Sequence, residues 1–407
     1  MIAVPGYAHF GGKNAESAAI KNLLAFTGVV NPQTGKPFSE GLCFGIAGGI
    51  GAGYSFCPSV PRYGGGSGVA VVGRHKSYAT NAVWYQGFFD RIGAVSRITE
   101  TSGKGKAYQS LLAELNEGRP VVVWCSRARL PFLGKPVESC DLAGHTFVVH
   151  AIDEAKGVAY GADRAATKVT LALEELAEAR DSICSHKNRT LTFQAPKTVA
   201  IKTLQSAVRA GLKACVQELL DGKIKTFSLP GLEIWSKMIC NDSNKDGWAA
   251  VFSKNGLLYC ALRDVFESIE TGGTGGGLYR NLFADFLAEA ADITGEPEFN
   301  ALSGVYRGLA ARWTELAEEA LPDSEKQLRQ TKKELRKRCQ LIETKGERAE
   351  QAIRSSAEQL RTLEAESRKS LPLRHLVGQT LPAMRERILA LHRNETDAAR
   401  RLARLVQ

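Results

Sequence analysis

Hydrophobic positions change their spacing twice along the chain, and each spacing predicts a different kind of element. From residue 1 to about 195, short apolar runs alternate with glycine-rich turns: Gly68 to Gly73 (GVAVVG), Pro120 to Cys125 (PVVVWC), Thr146 to Ile152 (TFVVHAI), and Thr167 to Leu173. Runs this short, rich in β-branched residues and bounded by Gly, Pro or Asp, read as strands of a mostly buried sheet. A helical repeat precedes them over Ala15–Phe26, with Ala18, Ala19, Leu23 and Phe26 on one face. A helix leading into such a sheet predicts an α+β domain.

Between residues 196 and 321 the helical repeat dominates, as in Leu204, Val208, Leu212, Val216 and Leu220. One glycine-rich run interrupts it, Thr271 to Gly277 (TGGTGGG), followed by the amphipathic LYRNLFADFLAEAADI. From Pro322 onward the apolar stripe narrows to Leu328, Leu335, Ile342, Ile353, Leu360 and Leu363 in a charged background. It breaks around Leu371-Pro372 and Gly378 to Pro382, then resumes at Met384, Ile388, Leu391, Leu402 and Leu405. Narrow stripes pack helix on helix, which predicts an antiparallel, coiled-coil-like helical hairpin. Three stretches result: 1–195, 196–321 and 322–407.

Composition changes this picture mainly through charge. The 407 residues carry a formal charge of +10, an excess that usually points to acidic partners. The last stretch holds 20 Lys and Arg against 12 Asp and Glu, which leaves 33 against 31 for all the rest. The basicity therefore belongs to the tail. Its positive residues are interleaved with acids, as in Glu334 and Arg338 or Glu343 and Glu347 around Lys345, and it has no aromatic side chains for stacking on bases. A solvated hairpin or a dock for an acidic protein fits that pattern, and nucleic acid does not. Nine cysteines without a CxxC pair predict neither a zinc site nor a disulfide framework. With no basic n-region and no apolar run approaching 18 residues, the expectation is a cytoplasmic protein, off the membrane, with reduced thiols.

Chemistry concentrates in the first stretch. His145 opens the run HTFVVHAID and Asp163 ends the next strand-like run, YGADRA. Adjacent antiparallel strands bring two such residues side by side, which is how a base acquires an orienting carboxylate. His150, at odd spacing on the same strand, is expected to pack instead. A nucleophile is best placed at a helix N-terminus, where the dipole and free amides serve it. The helix entered through HFGGKNAES has such a start, yet position 15 is alanine. Cys43, Cys57 and Cys140 are alternative nucleophiles in this stretch, and Cys140 is the nearest to His145 in sequence. The glycine run FGIAGGIGAG lacks the strand and Lys-Ser/Thr of a phosphate loop, so it reads as close packing or a site-lining turn. Glu40, Asp285 and Glu289 read as solvated or helix-paired.

Several ordered blocks resemble one family. GGKNAESAAIKNLL, SEGLCFGIAGGIGAGY, LLAELNEGRPVVVW, LPF, AGHTFVVHAID and YGADRA are similar to the butirosin biosynthesis protein H N-terminal family of acyltransferases. ETGGTGGGLYRNLFADFLAEAADI and ARWTELAEEAL resemble the helical domain of unknown function that commonly follows it. The resemblance implies a papain-like fold and a Cys-His-Asp arrangement. It also implies acyl or aminoacyl transfer from a carrier-protein thioester to a small-molecule amine, with no cofactor beyond the donor's phosphopantetheine arm and no metal. Carried over by position, the nucleophile falls on Ala15, the base on His145 and the acid on Asp163. Asn14 stands where the family often has His, and His9 and Tyr54 are expected to line the site or its oxyanion pocket. Two explanations of Ala15 stay open: a Cys→Ala change that inactivates an enzyme, or a chain that keeps the fold as a scaffold. The retained His145 and Asp163 favour the first. Hydrolysis by a peptidase or thioesterase is the alternative chemistry. Gly273, Thr274, Gly275 and Arg280 are candidates to hold an anion such as a phosphopantetheine phosphate, against the alternative of a tight turn. Whether the tail mediates homodimerisation stays open too.

Overall fold

The computed structural model describes residues 1–58, 67–74, 81–134, 144–183, 186–255, 257–371 and 373–406. They form two units, each drawing on three stretches of chain. The first comprises Met1–Ala47, Tyr78–Val208 and Gln340–Ala357; the second comprises Gly48–Ser77, Arg209–Cys339 and Glu358–Gln407. This differs from three consecutive stretches: residues 196–208 fall in the first unit, and the tail is divided between the two. The strand at Gly68 to Gly73 belongs with the helical part of the chain, and residues 340–357 of the basic tail belong with the sheet.

Numbered in chain order, the strands are β1 Ile2–Ala3, β2 Ile50–Phe56, β3 Val69–Arg74, β4 Val95–Thr99, β5 Val121–Cys125, β6 His145–Asp153, β7 Val158–Ala162, β8 Val169–Ala172 and β9 Thr190–Gln194. Seven of them make the antiparallel sheet of the first unit, in the order β4-β9-β5-β6-β7-β8, with β1 also paired to β6. Every residue of β5 and β6 is buried. Strands apolar on both faces need cover on both. Here helices supply it: α1 Ala15–Phe26, α2 Glu40–Ala47, α3 Asn81–Arg91, α4 Lys104–Asn116 and α5 Leu173–Asp181. α1 packs on β6, α4 and α5 pack on β5, and α3 reaches the sheet through Tyr85, whose hydroxyl meets Thr146 Oγ1 at 2.8 Å. Register then decides where the chemistry falls. Val148 pairs with Ala162, so Asp163 leaves β7 level with the His145 end of β6.

Helix α6, Ile201–Asp221, contributes residues to both units. Its buried face is Leu204, Val208, Leu212, Cys215 and Leu219, while Val216 and Leu220 are half-buried. A strict four-residue repeat drifts off one face, because the helix closes a turn every 3.6 residues. In the second unit the β2–β3 ribbon packs on α7 Pro230–Met238 and α9 Leu258–Phe266; α8 Trp248–Asn255, α10 Arg280–Thr294, α11 Glu298–Ala320 and α14 Leu381–Leu405 complete the unit, α14 packing on α7 and α11. Trp235, Trp248, Phe252, Tyr306 and Trp313 fill its core. A hairpin precedes α14: α12 Lys326–Lys345 and α13 Glu350–Ser370 lie antiparallel, with Gln327 Nε2 donating to Ser370 Oγ at 3.2 Å near the open end. A helical hairpin is present, but not with the expected arms: its turn is Gly346–Ala349, in the gap between Ile342 and Ile353. The breakers at 371–382 mark the passage to a third helix instead.

Candidate functional site

At the start of α1 the chain commits to a helix through its cap. Asn14 is extended (φ −116°, ψ 134°) and its Oδ1 accepts the Ser17 amide at 3.1 Å, while Nδ2 donates to Glu16 Oε2 at 2.9 Å. Glu40, the first residue of α2, adds a second cap from outside the helix. Its carboxylate accepts the amides of Lys13 (2.9 Å) and Asn14 (2.8 Å) and the Ser17 hydroxyl (2.9 Å). Glu40 is thus neither solvated nor paired within its helix; it fixes the approach to position 15. Among the described residues the Ala15 amide makes no hydrogen bond, so this N–H is available to an incoming oxygen.

The approach to α1 is tied to the strand end that carries Asp163. Gly12 N–H donates to the Arg164 carbonyl at 3.1 Å, three residues before position 15 and one after Asp163. There His145 Nε2 and Asp163 Oδ1 meet at 3.0 Å, with side chains only 8% and 1% exposed. Burial by itself would raise the Asp163 carboxyl. The neighbouring His145, the Arg164 charge and the Arg164 backbone N–H together outweigh it and hold the group below the usual carboxylate range. An ionised carboxylate only accepts, so the His145 nitrogen facing it, Nε2, is the one that carries a proton. The arrangement is an imidazole held in place by a buried carboxylate, side by side as the strand spacing suggests.

The remaining candidates fall elsewhere. His150 is buried and stacks on Tyr7 with ring centroids 4.7 Å apart. Burial, then the Lys168 charge, pushes it down to about 4, which marks a packed neutral imidazole. His9 makes an edge contact with Tyr7 and, among the described interactions, none with His145 or Asp163. Asn14, read as site-lining, spends both side-chain groups on the first turn of α1. Tyr54 belongs to the second unit, not to the sheet: its ring stacks on Trp235 at 5.3 Å and its hydroxyl accepts Trp248 Nε1 at 2.6 Å. The glycine run around it serves packing. At Gly53 a Cβ would lie 2.2 Å from the Thr226 carbonyl oxygen, so only glycine fits. Cys43 is fully buried in α2, Cys57 is exposed beyond β2, and Cys140 lies outside the described residues.

Gly273, Thr274, Gly275 and Arg280 turn inward rather than toward an anion. Thr274 Oγ1 donates to the Ile269 carbonyl and accepts the Gly276 amide, and the Gly277 amide donates to Glu270 Oε1 at 3.1 Å. Arg280 is fully buried and pairs with Glu395 at 2.7 Å, while Trp313 Nε1 donates to the same carboxylate oxygen at 2.7 Å. A carboxylate stands in the turn and the cation is neutralised internally, which describes a tight turn. Among the described residues no cluster of His, Cys, Asp or Glu is placed to hold a metal ion, and no helix is long and apolar enough to cross a membrane.

One contact of the site was not legible from spacing. The hairpin tip of the tail lies against the segment after Asp163: Ala166 N–H donates to the Glu343 carbonyl at 2.9 Å, and the Glu343 carboxylate pairs with Lys13 at 2.7 Å. Charge interleaving reads Glu343 as a solvated face, since nothing local announces a partner 330 residues away. No curated protein matches the chain. The family described as butirosin biosynthesis protein H, N-terminal, matches residues 14–164, a span that contains Ala15, His145 and Asp163. A domain of unknown function (DUF4872) matches residues 174–353, which includes α12 and the hairpin tip. Residues 14–164 are thus similar to the butirosin biosynthesis protein H N-terminal family, and the DUF4872 domain follows them in the same order as in the resemblance.

Proposed function

We propose that this fold is a papain-like acyltransferase of natural-product biosynthesis, whose chemistry calls for a thiol at position 15 and which, with Ala15, is held inactive. The observation that carries the reading is the buried 3.0 Å His145–Asp163 pair beside the entry of α1. With a thiol at position 15, His145 Nδ1 takes the thiol proton, and the thiolate attacks the carbonyl carbon of a carrier-protein thioester. The developing oxyanion takes the residue 15 amide. Collapse breaks the C–S bond to the donor, and the imidazolium returns its proton to the departing carrier thiol. An amine then attacks the acyl-enzyme, loses its proton to His145 and leaves as an amide, restoring the thiol. The negative charge of Glu40 at the helix start offsets part of the dipole's help to a thiolate, so activation rests chiefly on the imidazole. Arg393, Arg400, Arg401 and Arg404, exposed on α14, offer an acidic carrier protein a complementary surface.

The test is Ala15→Cys. Incubated with carrier-protein thioesters, the variant is expected to gain the mass of an acyl group, and an added amine should discharge it as amide. Discharge by water alone would make the enzyme a thioesterase. No adduct from any thioester donor, with the fold intact by circular dichroism, would leave the scaffold reading in its place.

A further inference from the structure

We infer that Glu343, on the tip of the α12–α13 hairpin, is a positioning residue for the His145–Asp163 pair. The tip is built against the segment that follows Asp163. The Glu343 carbonyl accepts the Ala166 amide, Gly346 approaches Ala165, Thr167 and Lys168, Glu347 accepts from the Thr170 hydroxyl, and Ile353 lies on Gly134. Within that contact the Glu343 carboxylate spans two places. Oε2 pairs with Lys13 Nζ at 2.7 Å, in the approach to α1, and Oε1 stands 4.0 Å from Arg164 Nη1. Arg164 is itself buried, its side chain 6% exposed, and its backbone N–H and charge act on the Asp163 carboxylate. The same Arg164 carbonyl accepts Gly12 N–H. One carboxylate from the tail thus clamps both the strand end that bears the acid and the loop that leads to position 15. Glu343 touches neither reacting atom; it acts through Arg164 on Asp163, and through Asp163 on the ring of His145.

The inference rests on reading His145 as a base oriented by Asp163, and not on which residue occupies position 15. The chain as it stands therefore tests it. In protein labelled with 15N and 13C at histidine, ring shifts at pH 8 report which nitrogen of His145 carries the proton. The parent is expected to show the Nε2–H tautomer, assigned through its loss in Asp163→Asn. Glu343→Gln is expected to shift the tautomer ratio toward parity by about tenfold, the low end of what removing an orienting partner costs at metal-bound imidazoles. Lys13→Met, at a side chain 56% exposed, should move it in the same direction by a smaller factor. A merely structural role would lower the melting temperature of Glu343→Gln and leave the tautomer alone, which would overturn the inference. If Glu343→Gln does not fold, an unchanged tautomer in Lys13→Met overturns it by itself. Failure of Ala15→Cys to acylate would count against the transfer chemistry and leave this measurement standing.

Discussion

Gly346→Ala isolates the contact between the hairpin tip and the sheet. Gly346 sits at φ +55°, where an L side chain clashes with its own backbone at a cost of roughly 1 kcal/mol or more. A Cβ there would also lie 2.8 Å from Thr167 Oγ1, 3.1 Å from Ala165 Cβ and 3.3 Å from the Lys168 carbonyl oxygen. Crowding of this kind costs about 1–3 kcal/mol. The closest neighbour is a hydroxyl that makes no hydrogen bond, so it can rotate away without breaking one, which places the crowding near the bottom of that range. The sum is about 2–3 kcal/mol against the first unit. Urea unfolding followed by tryptophan fluorescence suits the measurement, since Trp84 and Trp124 are both buried in that unit. With a slope of about 2–3 kcal/mol per molar, the first transition should move down by about 1 M. A midpoint unchanged within error would refute the tight seating of the tip.

Two further outcomes are expected. His150 is held down to about 4 in the folded chain, so between its ordinary value near 6.5 and pH 4 the unfolded chain binds a proton that the folded one refuses. Stability should then drop by up to about 3 kcal/mol as the pH is lowered through that window, and His150→Phe, which keeps a ring against Tyr7, should flatten the slope; an identical slope in chemical denaturation at each pH would contradict it. Glu395→Gln leaves the Arg280 charge buried without its partner and should cost about 3–5 kcal/mol, whereas Arg280→Met with Glu395→Leu should cost less than the single change. Equal losses for the single and double variants, compared by thermal denaturation, would argue against a buried charge as the cause.

Local pattern carried the centre of the first unit. The continuous apolar runs of β5 and β6 and the Gly-entered α1 fall where their spacing puts them, and the His145–Asp163 pair follows from two neighbouring antiparallel strands. What stayed hidden depends on partners remote in sequence. The IGAGYSF strand has too little side chain to announce its pairing, and its glycines look like a loop around a site, although Gly53 is there for the Thr226 carbonyl. Arg280 beside a glycine turn looks like an anion hook until Glu395, 115 residues on, appears against it. Glu40 and Glu343 look like ordinary surface acids, because capping the entry of another helix, or clamping a distant loop, leaves no periodic trace.

Because each unit is assembled from three separated stretches, order of synthesis matters to folding. The sheet-bearing unit needs residues up to Ala357, and the helical one needs α14, which runs to Leu405. Neither can fold from one uninterrupted stretch as it is made, as consecutive domains do. The strands around His145 emerge long before the hairpin tip that seats beside them, so the chain must be made past Glu343 and Gly346 before the Asp163 loop is clamped. A nascent chain stalled short of residue 340 would have its base and its acid, and nothing yet to hold them in line.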